Sequence, residues 1–135
     1  MEFSGAKLAL FLGSDLLVIR RDDRPDIPWP DHWDLPGGGR EGSETAAQCV
    51  LRETYEEVGL TLHERDLVWA RCHQRPQGSS WFFAAHRPRQ LREKIVFGNE
   101  GQGWRLMPVG TYCEHDLAVP HLAEQIRMYL SQKNG

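Results

Sequence analysis

The stretch from Gly38 to Leu60 places three glutamates at spacings that only a helix brings onto one face. At about 100° per residue, Glu56 lies about 60° to one side of Glu53 and Glu57 about 40° to the other. The helix therefore has an acidic stripe, and a separate, mostly apolar stripe is formed by Ala47, Val50, Leu51, Thr54 and Val58.

The acidic stripe carries an electrostatic cost that nothing nearby in the sequence offsets. Like charges at i, i+3 and i+4 repel by roughly 0.2 to 0.5 kcal/mol per pair on an isolated helix. A bound cation would remove that cost, and carboxylate oxygens favour Mg²⁺, Mn²⁺ or Ca²⁺ over zinc. The alternative to a cation-binding site is a solvated helix with a glutamate-rich face.

The ends of this helix can also be predicted. Ser43 is placed as the N-cap, and Gly59 stands where a glycine commonly ends a helix, so we predict a helix from about Ser43 to Val58. On that helix Glu44 and Arg52 lie about 80° apart. Arg52 is therefore predicted to brace the acidic side.

A glycine turn, Leu35-Pro36-Gly37-Gly38-Gly39, precedes the helix. Glycines let a ligand approach the backbone closely, and backbone N–H groups ahead of a helix N-terminus favour anions. Gly38 and Gly39 are therefore predicted to contact an anionic substrate.

With these residues assembled, the stretch resembles the Nudix box, G-x5-E-x7-R-E-U-x-E-E-x-G-U, where U is a bulky apolar residue. Every charged position matches, and only Thr54 departs, at a U position. The preceding Trp33-Asp34-Leu35-Pro36-Gly37-Gly38 is similar to what usually precedes the family's helix. The resemblance implies an α/β fold, an α/β/α sandwich in which a mixed β-sheet lies between the box helix and a C-terminal helix.

The resemblance also implies the chemistry: divalent-metal-dependent hydrolysis of the diphosphate linkage in a nucleoside diphosphate linked to another moiety. Mg²⁺ or Mn²⁺ would be held by Glu53, Glu56, Glu57 and Glu100, with a backbone carbonyl from Gly37 or Gly38. Glu53 is the first choice of general base and Glu100 the second, while Arg52 would orient Glu53.

The same resemblance implies metal-binding or substrate-binding roles for residues outside the box. Glu100 lies in a G-x-E-G-Q loop, which in MutT-like members supplies a further acid to the metal site. Arg20 and Arg21, at the end of a predicted strand, would lie near the nucleotide. His121 stands where nucleotide-sanitising members carry a base-contacting asparagine, which places specificity for an oxidised guanine in question.

The remaining pattern predicts two hairpins, a further strand and a C-terminal helix. Two further segments are read as exposed: a proline-rich rim from Asp22 to Asp31, whose Trp29 could cover a base or pack on a proline, and a basic connection from Arg87 to Arg92. The predicted elements are strands Ala6–Leu12 with Leu16–Arg20, strands Leu67–Cys72 with Trp81–His86, strand Trp104–Leu106 and helix Val119–Leu130.

Length and charge limit the remaining possibilities. The 135 residues are expected to form one domain, 1–135, and a net charge of −3 argues against stable nucleic-acid binding. No apolar run of membrane-spanning length and no signal-like segment is present, and the three cysteines are far apart. We expect a cytoplasmic monomer or homodimer whose partner is a small nucleotide.

The substrate is the least constrained prediction. A short chain with the G-x-E-G-Q loop favours a MutT-like nucleoside triphosphate pyrophosphohydrolase. Pro76 stands about where ADP-ribose-cleaving members carry a proline, so ADP-ribose or a nucleotide sugar remains an alternative. A non-catalytic nucleotide sensor is a third possibility, although all box acids are retained. A calcium-binding loop is not favoured, because no D-x-[DN]-x-[DN]-G pattern occurs.

Overall fold

The chain alternates short apolar strands with three helices, as seen in a computed structural model that describes residues 2–134. The strands belong to one seven-stranded mixed sheet. In chain order the elements are β1 (Gly5–Leu12), β2 (Asp15–Arg20), β3 (Trp33–Asp34), β4 (Gly37–Gly39), α1 (Ala46–Val58), β5 (Leu67–Arg75), β6 (Gly78–Arg87), β7 (Gly103–Pro108), α2 (Val109–Glu114) and α3 (Pro120–Asn134).

The sheet is forked at its centre. β1 and β2 pair only beside their turn, through Phe11 with Leu16 and Leu12 with Asp15, and then diverge. β3 pairs with the open half of β2, and β4 pairs with the open half of β1. The outer edges are completed by β7 against β2, and by β6 parallel to β1 with β5 beyond it. Residues 33–39 therefore fill the fork.

β1 is buried on both faces because helices cover the sheet on both sides. Its even-numbered residues, including Leu8 and Leu10, pack with α1, whereas Ala9 and Phe11 pack with α3. Complete burial of one such leucine contributes roughly 1.5 to 3 kcal/mol. The predicted sandwich is confirmed, with α1 on one face and α2 and α3 on the other.

Helix α1 begins at Ala46, three residues later than predicted, because Thr45 rather than Ser43 is the N-cap. The Thr45 hydroxyl accepts from the Gln48 backbone N–H at 3.1 Å, and the Gln48 side chain accepts from the Thr45 N–H at 2.9 Å. This is a capping box. The helix ends as predicted at Gly59, whose φ is 72° and whose N–H donates to the Tyr55 carbonyl.

Both predicted hairpins and the final strand are present, and each strand of the second hairpin is longer than predicted. Helix α3 also continues beyond the predicted Leu130. Helix α2 was not predicted; its Tyr112 is fully buried, and the hydroxyl donates to the Trp33 carbonyl. Among the described residues, no helix combines the length and apolar character needed to cross a membrane.

Candidate active site

The predicted acids line one cavity of about 230 Å³ on the α1 side of the sheet. Glu53, Glu56 and Glu57 come from α1, and Glu100 comes from the loop before β7. Glu41 lines the same cavity, although sequence reasoning did not select it. The fold therefore brings together the four carboxylates that the sequence assigned to a metal site.

Glu57 is held at the inner wall of this cavity. One of its carboxylate oxygens accepts from the Gly37 backbone N–H at 2.9 Å. Burial raises the pKa of Glu57 to about 7, with further upward contributions from Glu53 and Asp34. Burial also raises the pKa of the Glu53 carboxyl. Both acids are therefore easier to protonate than exposed glutamates while no cation is bound.

Glycine is required at position 38 because Glu53 occupies the space of a side chain there. A Cβ on Gly38 would lie 2.6 Å from the Glu53 carboxyl carbon. Gly37 has a φ of 137°, and its Cβ would lie 2.2 Å from the Ala6 carbonyl oxygen. The glycine turn thus supports two carboxylates directly, one by contact and one by a hydrogen bond.

Arg52 connects the acids on the outer side of the cavity. Its Nε donates to Glu44 at 2.6 Å, its Nη1 to Glu53 at 3.3 Å and to Glu56 at 3.2 Å, and its Nη2 to the Gly39 carbonyl. Glu44 lies before the first residue of α1, so the predicted angle of about 80° between Glu44 and Arg52 around the helix axis does not apply. The predicted brace is nevertheless formed.

The donor set fits a hard divalent cation by its chemistry. Glu53, Glu56, Glu57 and Glu100 are carboxylates that line one cavity, and Gly38 leaves room for Glu53. Within residues 2–134 no three acidic, histidine or cysteine side chains are already grouped as closely as a bound metal requires. The carbonyl of Gly37, also assigned to the metal, accepts from Lys7 at 3.3 Å.

A second cavity, of about 260 Å³, opens on the α3 side of the sheet. Its charged and polar lining includes Arg21 and His121 from the predicted set, with Gly38 and Gly39 at its wall. Burial lowers the pKa of His121 to about 4, helped by the charges of Arg75 and His73, so its imidazole is neutral at pH 7. Lining residues that the sequence analysis did not assign to a site include Lys7, Asp34, His73, Arg75 and Trp81.

A third cavity, of about 330 Å³, lies at the fork and shares walls with the other two. It shares Glu57 and Glu100 with the acidic cavity, and Arg21 and Asp34 with the basic cavity. The cavity at the fork therefore adjoins both the acidic cavity on the α1 side and the basic cavity on the α3 side.

Arg20 lies apart from these three cavities. Its Nε donates to the Asp31 carbonyl and carboxylate at 2.9 and 3.0 Å, and its guanidinium stacks over Trp33. Successive residues of an extended chain point in opposite directions, so Arg20 and Arg21 separate. Arg20 lines a different cavity, with Gln102 and Arg105. The structure thus joins only Arg21 to the other predicted residues.

Asp34 is the buried charge beneath the fork. Its Oδ2 accepts from Lys7 at 3.0 Å and from Arg21 at 2.8 Å, and its Oδ1 accepts from the Leu35 N–H. Burial opposes its ionisation, but these donors hold the pKa of Asp34 below its usual value. The only sequence signal for this group was the position of Asp34 before the glycine turn.

Fold and site together define an α/β domain with a carboxylate cluster on one helix, joined to a basic pocket across a forked sheet. The NUDIX domain model matches residues 4–129, and the chain belongs to the NUDIX family. Members of this family generally act on nucleotides with a divalent metal.

Similar proteins agree with this assignment. The chain is 36% identical over 91 residues to an RNA pyrophosphohydrolase of Acidiphilium cryptum, covering 65% of this chain and 54% of that protein. It is 34% identical over 65 residues to an 8-oxo-dGTP diphosphatase of Proteus vulgaris, covering 46% of this chain and 58% of that protein. The matched parts thus span only slightly more than half of each relative.

The fold has a counterpart among solved structures. The crystal structure of a MutT protein from Methanosarcina mazei Go1 superposes with a TM-score of 0.74 over 97% of this chain and 94% of that one. Sequence identity is 14%, so this likeness shows the fold alone.

Proposed function

We propose that this chain hydrolyses the diphosphate linkage of a nucleoside diphosphate linked to another moiety. A nucleoside triphosphate, cleaved to a nucleoside monophosphate and pyrophosphate, is the first candidate. The observation that carries the proposal is that the carboxylate cavity and the basic cavity both share lining residues with the cavity at the fork. Family membership and the names of both relatives support the same reaction.

Mg²⁺ or Mn²⁺ would be held by Glu53, Glu56, Glu57 and Glu100, where it would offset diphosphate charge and lower the pKa of the attacking water. The Gly37 carbonyl has a second lone pair beyond its hydrogen bond to Lys7, so it remains a candidate ligand.

Two residues of α1 and one loop residue are proposed to act on the attacking water. Glu53 accepts a proton from the attacking water, and Glu100 is the second candidate for that role. Arg52 orients Glu53 through its 3.3 Å hydrogen bond and keeps Glu56 beside it. Glu53 belongs to α1, so a base at this position would be held by a helix rather than by a loop.

The basic cavity is proposed to hold the part of the substrate that decides specificity. Arg21 keeps guanidinium hydrogens beyond those given to Asp34 and the Pro28 carbonyl, so it can donate to a phosphate oxygen. His121 is neutral and offers one donor and one acceptor to a base. Trp29 lines the cavity and is 41% exposed, with a positive φ of 50°. This side chain is available to stack on a planar ring.

The decisive experiment is a hydrolysis panel with Mg²⁺ or Mn²⁺. It should contain nucleoside triphosphates, dinucleoside polyphosphates, ADP-ribose, nucleotide sugars and a 5′-triphosphorylated RNA oligonucleotide. Release of phosphate, pyrophosphate or monophosphate is measured for the wild-type protein, for Glu57→Gln and for Glu114→Gln as an exposed control on α2. We expect metal-dependent turnover that Glu57→Gln abolishes and Glu114→Gln retains. Binding of a nucleotide without turnover of any panel member would instead support a sensor.

A further inference from the structure

Lys7 of β1 has all its hydrogen-bonding capacity engaged inside the protein. Its ammonium donates to Asp34 Oδ2 at 3.0 Å, to the Leu35 carbonyl at 3.1 Å and to the Gly37 carbonyl at 3.3 Å. An ammonium has three hydrogens, so three acceptors saturate it. The segment from β3 to β4 is thus folded around this one cation.

Two chains of contacts lead outward from Lys7. In the first, Gly37 is held by Lys7 through its carbonyl and donates its own N–H to Glu57 at 2.9 Å. In the second, Asp34 is held by Lys7 and itself fixes Arg21 at 2.8 Å. Lys7 therefore lies at the wall of the basic cavity and is one residue removed from the acidic cavity.

The fork explains why such a residue is needed. β1 and β4 pair in a register that places Lys7 opposite Gly37, whereas Asp34 belongs to β3, which pairs with β2. Backbone hydrogen bonds join β3 to β2 and β4 to β1. The Lys7 side chain adds contacts from β1 to both strands in the fork.

We propose that Lys7 is a positioning residue that fixes Glu57 and Arg21 relative to each other, because it gives its three hydrogens to the protein and keeps none for the substrate. The inference rests on the function proposed above, because it assigns Glu57 to the metal and Arg21 to the substrate. A substrate-binding lysine would keep a hydrogen free, and a lysine acting only as a charge would not need three matched acceptors.

The critical variant is Lys7→Arg, which keeps the positive charge but replaces a compact ammonium by a planar fork. A guanidinium cannot direct hydrogens to these three acceptors from one point. We expect Lys7→Arg and Lys7→Met both to lose roughly 10- to 100-fold in kcat/KM, the range seen when a residue supporting metal ligands is removed. Arg89→Met is the matched control, because it removes a cation from the Asp15 ion pair away from the site.

A readout independent of activity follows from the same contacts. In ¹⁵N NMR spectra, the Gly37 amide and the Arg21 Nε–H signals should both shift in Lys7→Arg and stay unchanged in Arg89→Met. In the wild-type protein, timed acetylation followed by mass spectrometry should modify Lys7 far more slowly than the exposed Lys94. The acetylation measurement needs no variant, so fast modification of Lys7 would overturn the proposal even where a variant does not fold.

Three results would overturn the proposal. They are near wild-type kcat/KM in folded Lys7→Arg, unmoved Gly37 and Arg21 signals in that variant, and acetylation of Lys7 as fast as that of Lys94. Failure of the proposed function is a different result, namely a wild-type protein that cleaves no member of the panel. In that case the NMR and acetylation measurements still test whether Lys7 positions the two groups.

Discussion

Replacing Glu57 by glutamine should change how protein stability depends on pH in the absence of metal. The Gly37 N–H donates to Glu57, and a glutamine oxygen can accept that hydrogen bond equally well. Glutamine therefore resembles the protonated acid in shape and charge. The variant removes the ionisation of Glu57 while keeping its main contact.

The raised pKa of Glu57 determines both the direction and the size of this change in stability with pH. Burial raises the pKa of Glu57 to about 7, above the ordinary glutamate value of 4.5. Its contribution to stability is therefore fully present below about pH 4.5 and is lost as the pH rises through 7. At 1.36 kcal/mol per pKa unit, the wild-type protein should lose about 2.5 kcal/mol relative to Glu57→Gln between pH 5 and pH 8.

Urea unfolding followed by tryptophan fluorescence measures this difference directly. Both proteins are unfolded with EDTA present at four pH values from 5 to 8, and the two free energies of unfolding are subtracted. A difference of less than about 1 kcal/mol is expected at pH 5, and Glu57→Gln should be clearly the more stable protein at pH 8. Glu56→Gln, at a side chain that is 54% exposed, is the control and should show a smaller change.

Adding Mg²⁺ should reverse the advantage of Glu57→Gln at pH 8, because a cation that binds the folded state stabilises it and needs the ionised acid. The reasoning is refuted if the wild-type and Glu57→Gln free energies differ by the same amount at every pH, to within about 0.5 kcal/mol. Such a result would mean that burial does not control the ionisation of Glu57.

Two further predictions concern the elements that hold the acids. Gly38→Ala should abolish metal-dependent hydrolysis, because its Cβ would lie 2.6 Å from the Glu53 carboxyl carbon; activity assays should find Gly39→Ala, with 3.9 Å to its nearest contact, much less affected. Thr45→Ala should lower the free energy of unfolding by about 1 kcal/mol through loss of the N-cap, whereas Ser43→Ala should change it little in the same urea titration. Equal effects of Thr45→Ala and Ser43→Ala would contradict the assigned helix start.

The acidic half of the site could be predicted because its geometry is local. Glu53, Glu56 and Glu57 share a face by helical periodicity alone, whatever the rest of the chain does. The error at the helix start was avoidable, since Thr45-x-x-Gln48 is a capping-box pattern visible in the sequence. Local rules therefore specify this part of the site almost completely.

The basic half could not be predicted because it depends on contacts between distant segments. His73 and Arg75 alternate along an edge strand, a pattern that usually indicates a solvated face. They reach the cavity only because α3 brings His121 over them. The pairing of Lys7 with Asp34 gave no signal either, since it requires the register of β1, β3 and β4 across the fork.

The fork also separates the residues proposed to bind metal from the residues proposed to decide substrate specificity. The carboxylates lie on the α1 face of the sheet, and the basic lining lies on the α3 face. Side chains such as Arg75 and His121 can therefore vary without disturbing Glu53 or Glu57, since no direct contact joins them. Lys7 and the segment 33–39, which fills the fork, contact both faces. A change of substrate is thus compatible with a constant acid helix, which is why the helix identifies the family but not the substrate.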